Sequence, residues 1–199
     1  MTLPHALILA AGASRRFGSP KALANFNGYR LIDLTVNRAK EIVGEHFTVV
    51  LGAHADAIST ATGLPEQQVA RHTTWTLGMA ESLKFGISAL PQHSIAAMVM
   101  LVDQPLIDAA ALRQLVAAWQ KNPQQPAAAE YSGDIGAPCI LPREIFPAVM
   151  NLSGDKGAKA LLRSLPLVSR IAMPSAEFDI DTPDDLQQAS LRTKNHRGT

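Results

Sequence analysis

Six consecutive apolar residues, Ala6 to Ala11, are cut off by Gly12 and followed by a loop carrying Gly18, Pro20, Arg15, Arg16 and Lys21. A short run that is apolar at every position suits a strand buried on both faces. A glycine-rich turn directly after it places a flexible, basic loop at the strand's carboxyl end. Everything else in the chain has to be compatible with a sheet covered on both sides.

The rest of the sequence supplies such a sheet. Leu31 to Val43 has apolar residues at helical spacing, Phe47 to Leu51 reads as a second strand closed by Gly52, and Ala53 to Ala61 as a short helix. Gln68 to His72 fits a third strand, Met79 to Leu90 a helix, and Ala96 to Val102, the most apolar stretch, a central strand. Asp108 is placed to cap a helix running to Trp119. Beyond Asn122–Pro126 the pattern loosens. Strand-like pieces fall near Ala127–Glu130, Cys139–Leu141 and Leu167–Ala172, with helices near Lys156–Ser164 and from Pro183 to about Ser190.

Alternating strands and helices predict an α/β, three-layer, Rossmann-like architecture with a mostly parallel central sheet and some antiparallel pairing late in the chain. Residues 1–191 are expected to form one domain, with 192–199 a frayed polar tail.

Composition narrows the class. The hydrophobic fraction of 47% and charged fraction of 18% are those of an ordinary globular chain. A formal net charge of +1 argues against duplex nucleic acid as the main partner. The single cysteine, Cys139, excludes an intramolecular disulfide. The N-terminus has no signal-peptide pattern, and the run Ala6–Ala11 is too short to span a bilayer. The expectation is a cytoplasmic protein with no membrane partner.

Chemistry concentrates in Leu9-Ala10-Ala11-Gly12-Ala13-Ser14-Arg15-Arg16-Phe17-Gly18-Ser19-Pro20-Lys21. Gly12 and Gly18 are expected to give the backbone freedom to approach a ligand. Successive amides in such a loop cradle anions, with fixed positive charge beside them. The glycine spacing is neither that of a Walker loop nor G-x-G-x-x-G. Asp103 stands at the end of the central strand, in Asp103-Gln104-Pro105, where open α/β sheets bind ligands. A second acidic cluster, Asp179-Ile180-Asp181-Thr182-Pro183-Asp184-Asp185, puts Asp179 and Asp181 on one side if extended. Asp184 and Asp185 suit the first turn of the next helix.

The glycine loop resembles the signature of the sugar-nucleotide-type nucleotidyltransferases, and within them the molybdenum cofactor nucleotidyltransferases. Asp103-Gln104-Pro105 matches that family's Asp-x-Pro, and Trp75-Thr76-Leu77-Gly78-Met79-Ala80-Glu81-Ser82-Leu83 its Trp-x-x-Gly-Met-x-x-Ser-Leu. Gly136-Ala137-Pro138, Gly154-Asp155-Lys156-Gly157 and Asp179–Leu186 match in the family's order.

The resemblance implies a nucleotide site formed by Leu9, Ala10, Ala11, Gly12, Ala13, Ser14, Arg16, Lys21, Gly78 and Ser82. It implies catalytic roles for Arg16, Lys21 and Asp103. Mg2+ would be held by Asp103 and Asp181, with Asp179 the second choice for the latter place. Gly136, Pro138, Gly154 and Asp155 would lie on the acceptor side. Arg15, at a variable position, is expected to face solvent. Gly78 is expected to open a helix whose free amides could meet a phosphate or base edge. Members often carry Asn where this chain has His72.

The implied reaction is in-line attack of an acceptor phosphate on the α-phosphorus of a nucleoside triphosphate, releasing pyrophosphate. Such an acceptor is ionised near neutral pH and needs no general base. In the family, cytidylyltransferases carry Leu-Ala-Ala-Gly and guanylyltransferases tend toward Leu-Ala-Gly-Gly. Ala11 therefore points to CTP, with molybdopterin as acceptor and a recipient molybdoenzyme as a possible further partner. GTP, another phosphorylated acceptor, or a non-catalytic carrier of the cofactor are the alternatives.

Overall fold

The computed structural model describes residues 2–154 and 157–195. Among these, seven strands form one sheet: β1 (His5–Ala10), β4 (Phe47–Leu51), β5 (Val69–Arg71), β6 (Ala96–Leu101), β7 (Ala127–Tyr131), β8 (Asp134–Pro142) and β9 (Ser169–Ala172). The order is β5-β4-β1-β6-β8-β7-β9. β5, β4, β1 and β6 run parallel, β8 is antiparallel to both its neighbours, and β7 and β9 are parallel. The two-stranded hairpin β2 (Asn25–Phe26) and β3 (Tyr29–Arg30) stands apart.

The apolar run behaves as its composition dictates. Ala6, Ile8 and Ala10 face one core, while Leu7, Leu9 and Ala11 face the other. The first core is closed by α1 (Leu31–Val43), α2 (Ala55–Thr62), α4 (Ala109–Lys121) and α7 (Pro183–Asn195). The second is closed by α3 (Met79–Ser88), α5 (Phe146–Met150) and α6 (Ala158–Ser164). Close packing of α3 on β1 depends on Gly86, where a Cβ would lie 2.9 Å from both methyl carbons of Leu7. Truncating a fully buried Leu such as Leu7 to Ala costs about 2–5 kcal/mol.

Connectivity creates the crevice. After β1 the chain crosses to β4 and then β5. It returns through α3 to β6 on the other side of β1, then passes to β7 and turns back into β8, which lies between β6 and β7. The order reverses between β1 and β6, and the carboxyl ends of those two strands border the opening where such sheets take ligands.

Differences from the sequence expectation have local causes. The hairpin β2–β3 went unread, although Asn27-Gly28 at φ 52° and 93° is the pair a tight two-residue turn favours. β8 begins at Asp134, well before Cys139, because Ser132-Gly133 (φ 51° and 75°) form a second tight turn. The register then shifts opposite Ala128/Ala129, leaving Ala137 and Pro138 unpaired with β7. α7 continues to Asn195 rather than ending near Ser190. Ala189 is fully buried, and Asn27 Nδ2 donates to Thr193 Oγ1 at 2.8 Å, tying the helix to the hairpin. Residues 192–195 of the expected tail are therefore helical, and 196–199 lie outside the described residues. Among the described residues no helix is long and apolar enough to cross a membrane.

Candidate active site

A cavity of about 470 Å³ opens at the carboxyl ends of β1 and β6. Leu9 to Arg16 form one wall, with Lys21, Asp103 and Asp181 on another and Trp75, Gly78, Met79 and Ser82 opposite. Its volume falls in the range of small-molecule sites.

The loop after β1 folds around Ser14. This residue has φ 52°, in the left-handed region, and its carbonyl accepts from the amides of Phe17 and Gly18, both at 3.0 Å. Its hydroxyl accepts from the Lys21 amide at 3.1 Å. Gly18 takes φ 80°. Gly12 does not need a glycine-only conformation, contrary to expectation. A Cβ there would meet no protein atom within 4 Å and would stand beside the cavity that Gly12 lines. Open space borders this position, while Ser14 and Gly18 take the left-handed conformations of the loop.

Lys21 begins a single 3-10 turn, and its side chain is 13% exposed. Its Nζ donates to Asp103 Oδ2 at 2.8 Å and to Asp181 Oδ1 at 3.2 Å. Arg16 Nη2 donates to Asp181 Oδ2 at 2.8 Å from a side chain that is 72% exposed. Such an exposed pair is worth about 0–1 kcal/mol, so Arg16 can exchange this partner for a ligand at little cost. Arg15 is exposed, as expected, on the rim of the same cavity.

Asp181 is held by its own turn. Asp185 accepts from the amides of Asp181 (3.0 Å) and Thr182 (2.8 Å), while the Asp185 amide donates back to Thr182 Oγ1 at 3.2 Å. The Thr182 hydroxyl, donating to Asp185 Oδ2 at 2.8 Å, and then the Asp181 and Thr182 amides keep the Asp185 carboxyl below the usual carboxylate range. The Ile180 amide donates to the Asp103 carbonyl at 2.8 Å, lacing the acidic segment to the end of β6. Asp179 is pushed up to about 6 by desolvation and then by the nearby Asp103 carboxylate, with the Gln104 amide acting in the opposite sense.

The carboxylates suit a hard cation. Asp103 Oδ1 is buried and has no hydrogen-bond partner in the protein. A buried acceptor left unmet costs about 1–3 kcal/mol. Among the described residues no group of three or more His, Cys, Asp or Glu side chains is placed to hold a metal. Two carboxylates completed by ligand oxygens and water is the arrangement magnesium favours.

The other expected positions differ in how they meet the cavity. Gly78 has φ 104° and opens α3, but the Ala80 amide donates to the Gly154 carbonyl at 3.1 Å. The helix N-terminus is therefore partly satisfied by the protein itself. Ser82 is buried and its hydroxyl donates to the Gly78 carbonyl at 3.4 Å. Gly154 thus packs on α3 beside the cavity. Gly136 and Pro138 are buried: a Cβ on Gly136 would lie 2.4 Å from the Tyr131 hydroxyl, and Pro138 faces α1 and α4. None of the three lines the cavity. Asp155 lies outside the described residues.

His72 is buried and stacked on Phe85 with ring centroids 4.7 Å apart. Burial lowers its pKa, and it borders a separate cavity beyond Trp75. His54, which the sequence reading passed over, lines the main cavity, with Nε2 3.3 Å from the Ala13 carbonyl. Its place just after β4 is the signal that could have marked it.

A cavity of small-molecule size, a basic glycine loop and paired carboxylates at a sheet switch point are parts that a nucleotidyltransferase needs. Residues 6–170 match the model of the MobA-like NTP transferase domain, and the chain belongs to that family. Nicotine blue oxidoreductase of Paenarthrobacter nicotinovorans is 29% identical, covering 90% of this chain and 93% of that protein. A probable molybdenum cofactor guanylyltransferase of Bacillus cytotoxicus is 30% identical over 55% of this chain and 53% of its own length. Among solved structures, Rv0371c of Mycobacterium tuberculosis in complex with manganese is 25% identical, with a TM-score of 0.77 over 94% of this chain and 97% of that one.

Proposed function

We propose that this chain is a magnesium-dependent cytidylyltransferase. It moves CMP from CTP to the terminal phosphate of molybdopterin, yielding molybdopterin cytosine dinucleotide and pyrophosphate. The observation that carries the reading is Lys21 seated between Asp103 and Asp181 at the end of the glycine loop.

Residues of the chain divide the work. Backbone amides from Gly12 to Arg16 face the triphosphate, and Arg16 and Lys21 take up charge on the departing pyrophosphate. Ala11 is buried at the cavity wall, its carbonyl accepting from the Ala53 amide at 3.1 Å, and in this reading its methyl narrows the room for the base. One methyl discriminates by about 1–3 kcal/mol and favours the smaller pyrimidine. Asp103 and Asp181 hold the cation, which when bound supplies neutralising charge at the phosphates. Catalysis is positioning and charge stabilisation, with no general base.

Manganese in the Rv0371c complex supports a divalent ion at such a site. The Bacillus relative's name supports a molybdenum cofactor acceptor.

The test is pyrophosphate release from CTP and from GTP, with and without magnesium and molybdenum-loaded pterin. Release from CTP that needs both is the expected result. Release from GTP alone overturns the base assignment, and pterin binding without release from either nucleotide favours a carrier.

A further inference from the structure

Gln104 is the middle residue of Asp103-Gln104-Pro105 and one of the few polar side chains in the interior, 4% exposed. Its Nε2 donates to the Ala176 carbonyl at 2.9 Å and to the Ala137 carbonyl at 3.3 Å. Both acceptors lack a ladder partner by construction. Ala137 lies where β8 loses register with β7, and Ala176 belongs to the 3-10 turn Pro174–Glu177 that leads into Asp179–Asp181. The Gln104 amide also favours the charged form of the Asp179 carboxylate, against the burial and the Asp103 charge that raise it. Two carbonyls converge on one NH2 group; reversed, an oxygen would face both.

This geometry opposes a repulsion. Asp103 and Asp179 carry like charge, and the segment bearing Asp179 and Asp181 is joined to Asp103 by the Ile180 amide bond described above. Gln104 adds a second tie against it, through the Ala176 carbonyl of the turn that leads into this segment. Its Oε1 stays buried without a partner, so the residue is kept for what it donates.

We infer that Gln104 is a positioning residue that holds the Asp179–Asp181 segment against the end of β6, so that Asp103 and Asp181 meet one cation. This rests on the proposed cation site. Gln104 touches no substrate and acts through those two carboxylates.

The test uses the full chain with Mn2+ as probe, following the protein-bound Mn2+ EPR signal at a fixed CTP concentration. Gln104→Met keeps the length of the side chain and removes the donor. Half-saturation is expected to require about ten- to a hundredfold more Mn2+, the usual cost of losing a group that orients a metal ligand. CTP binding measured in EDTA is expected to stay unchanged. Unchanged Mn2+ affinity overturns the inference, as does a parallel fall in CTP binding, which marks general damage. Should Gln104→Met fail to fold, Gln104→Asn keeps a donor but withdraws it by one methylene. Its Mn2+ affinity in the folded protein is expected to fall as well, and wild-type affinity there overturns the inference. Asp103→Asn separates the two readings: if it leaves Mn2+ binding intact, the cation site itself is misassigned.

Discussion

The two ends of the central strands have the same hydrophobic middle and opposite polar characters. At the carboxyl ends of β1 and β6, Lys21, Arg16, Asp103 and Asp181 are gathered as full charges, Ser14 is held in a left-handed conformation, and a buried carboxylate oxygen is left without a partner. At the amino ends of β1 and β4, His5 Nε2 pairs with Thr48 Oγ1 at 2.9 Å. Burial, then His46 and His93, push His5 down to about 4, so this histidine is neutral at physiological pH. The strands can therefore be made stable at one end and left unsatisfied at the other. Unsatisfied charge and strain gather where a ligand can meet them.

The largest effect that sharpens this contrast is expected at Asp103. Asp103→Asn or Asp103→Ala should lower pyrophosphate release by about a hundredfold or more, in line with losing a charged group that acts in the transition state. The thermal midpoint should hold, because the side chain contributes to the site more than to the core. Activity close to wild type would remove Asp103 from the mechanism. Lys21→Met comes next and has two readouts of opposite sign. Turnover should collapse, while Mn2+ binding without nucleotide should tighten several-fold, because an ammonium no longer competes for the two carboxylates. Weaker Mn2+ binding would mean that Lys21 organises those carboxylates instead of competing for them.

How much of this was legible follows from the range of the interactions. β1, β4 and β6 are continuous apolar runs, and a residue buried on both faces announces itself locally. The glycine loop, Asp103 and Asp181 were visible because their chemistry sits at strand ends or in motifs. The hairpin at Asn25–Arg30 was visible too, in Asn27-Gly28, and was passed over because its strands are only two residues each. Gln104 was not legible at all: its acceptors lie 33 and 72 positions away, and nothing in Asp-Gln-Pro says that the middle side chain turns inward. The capping of Ala80 by Gly154 is hidden for the same reason, since it depends on how a later loop docks on α3.

Two glycines separate the site from its scaffold. Gly12→Ala should fold as well as wild type or gain about 0.4–1 kcal/mol through a less flexible unfolded chain. It should nonetheless raise the nucleotide KM, because its Cβ stands beside the cavity. At Gly52 a Cβ would lie 2.4 Å from the Ala11 carbonyl and 2.7 Å from Trp75 Cβ. Gly52→Ala should cost about 1–3 kcal/mol of stability as overpacking. Chemical denaturation and steady-state kinetics on the same two proteins separate these effects. If Gly12→Ala unfolds early and binds nucleotide normally, the loop is structural.

The smallest effect belongs to the amino end. A histidine whose folded pKa lies below its unfolded value binds fewer protons in the native state. Its contribution is complete above the unfolded value of 6.5 and is lost as pH falls toward about 4. Wild-type protein should therefore lose stability gradually across that window, and His5→Gln should flatten the decline while leaving turnover near neutral pH unchanged. Urea midpoints at intervals from pH 7 to 4 measure the slope. An equally steep decline in His5→Gln would place the acid sensitivity elsewhere, with the paired carboxylates of the opposite edge the next group to test.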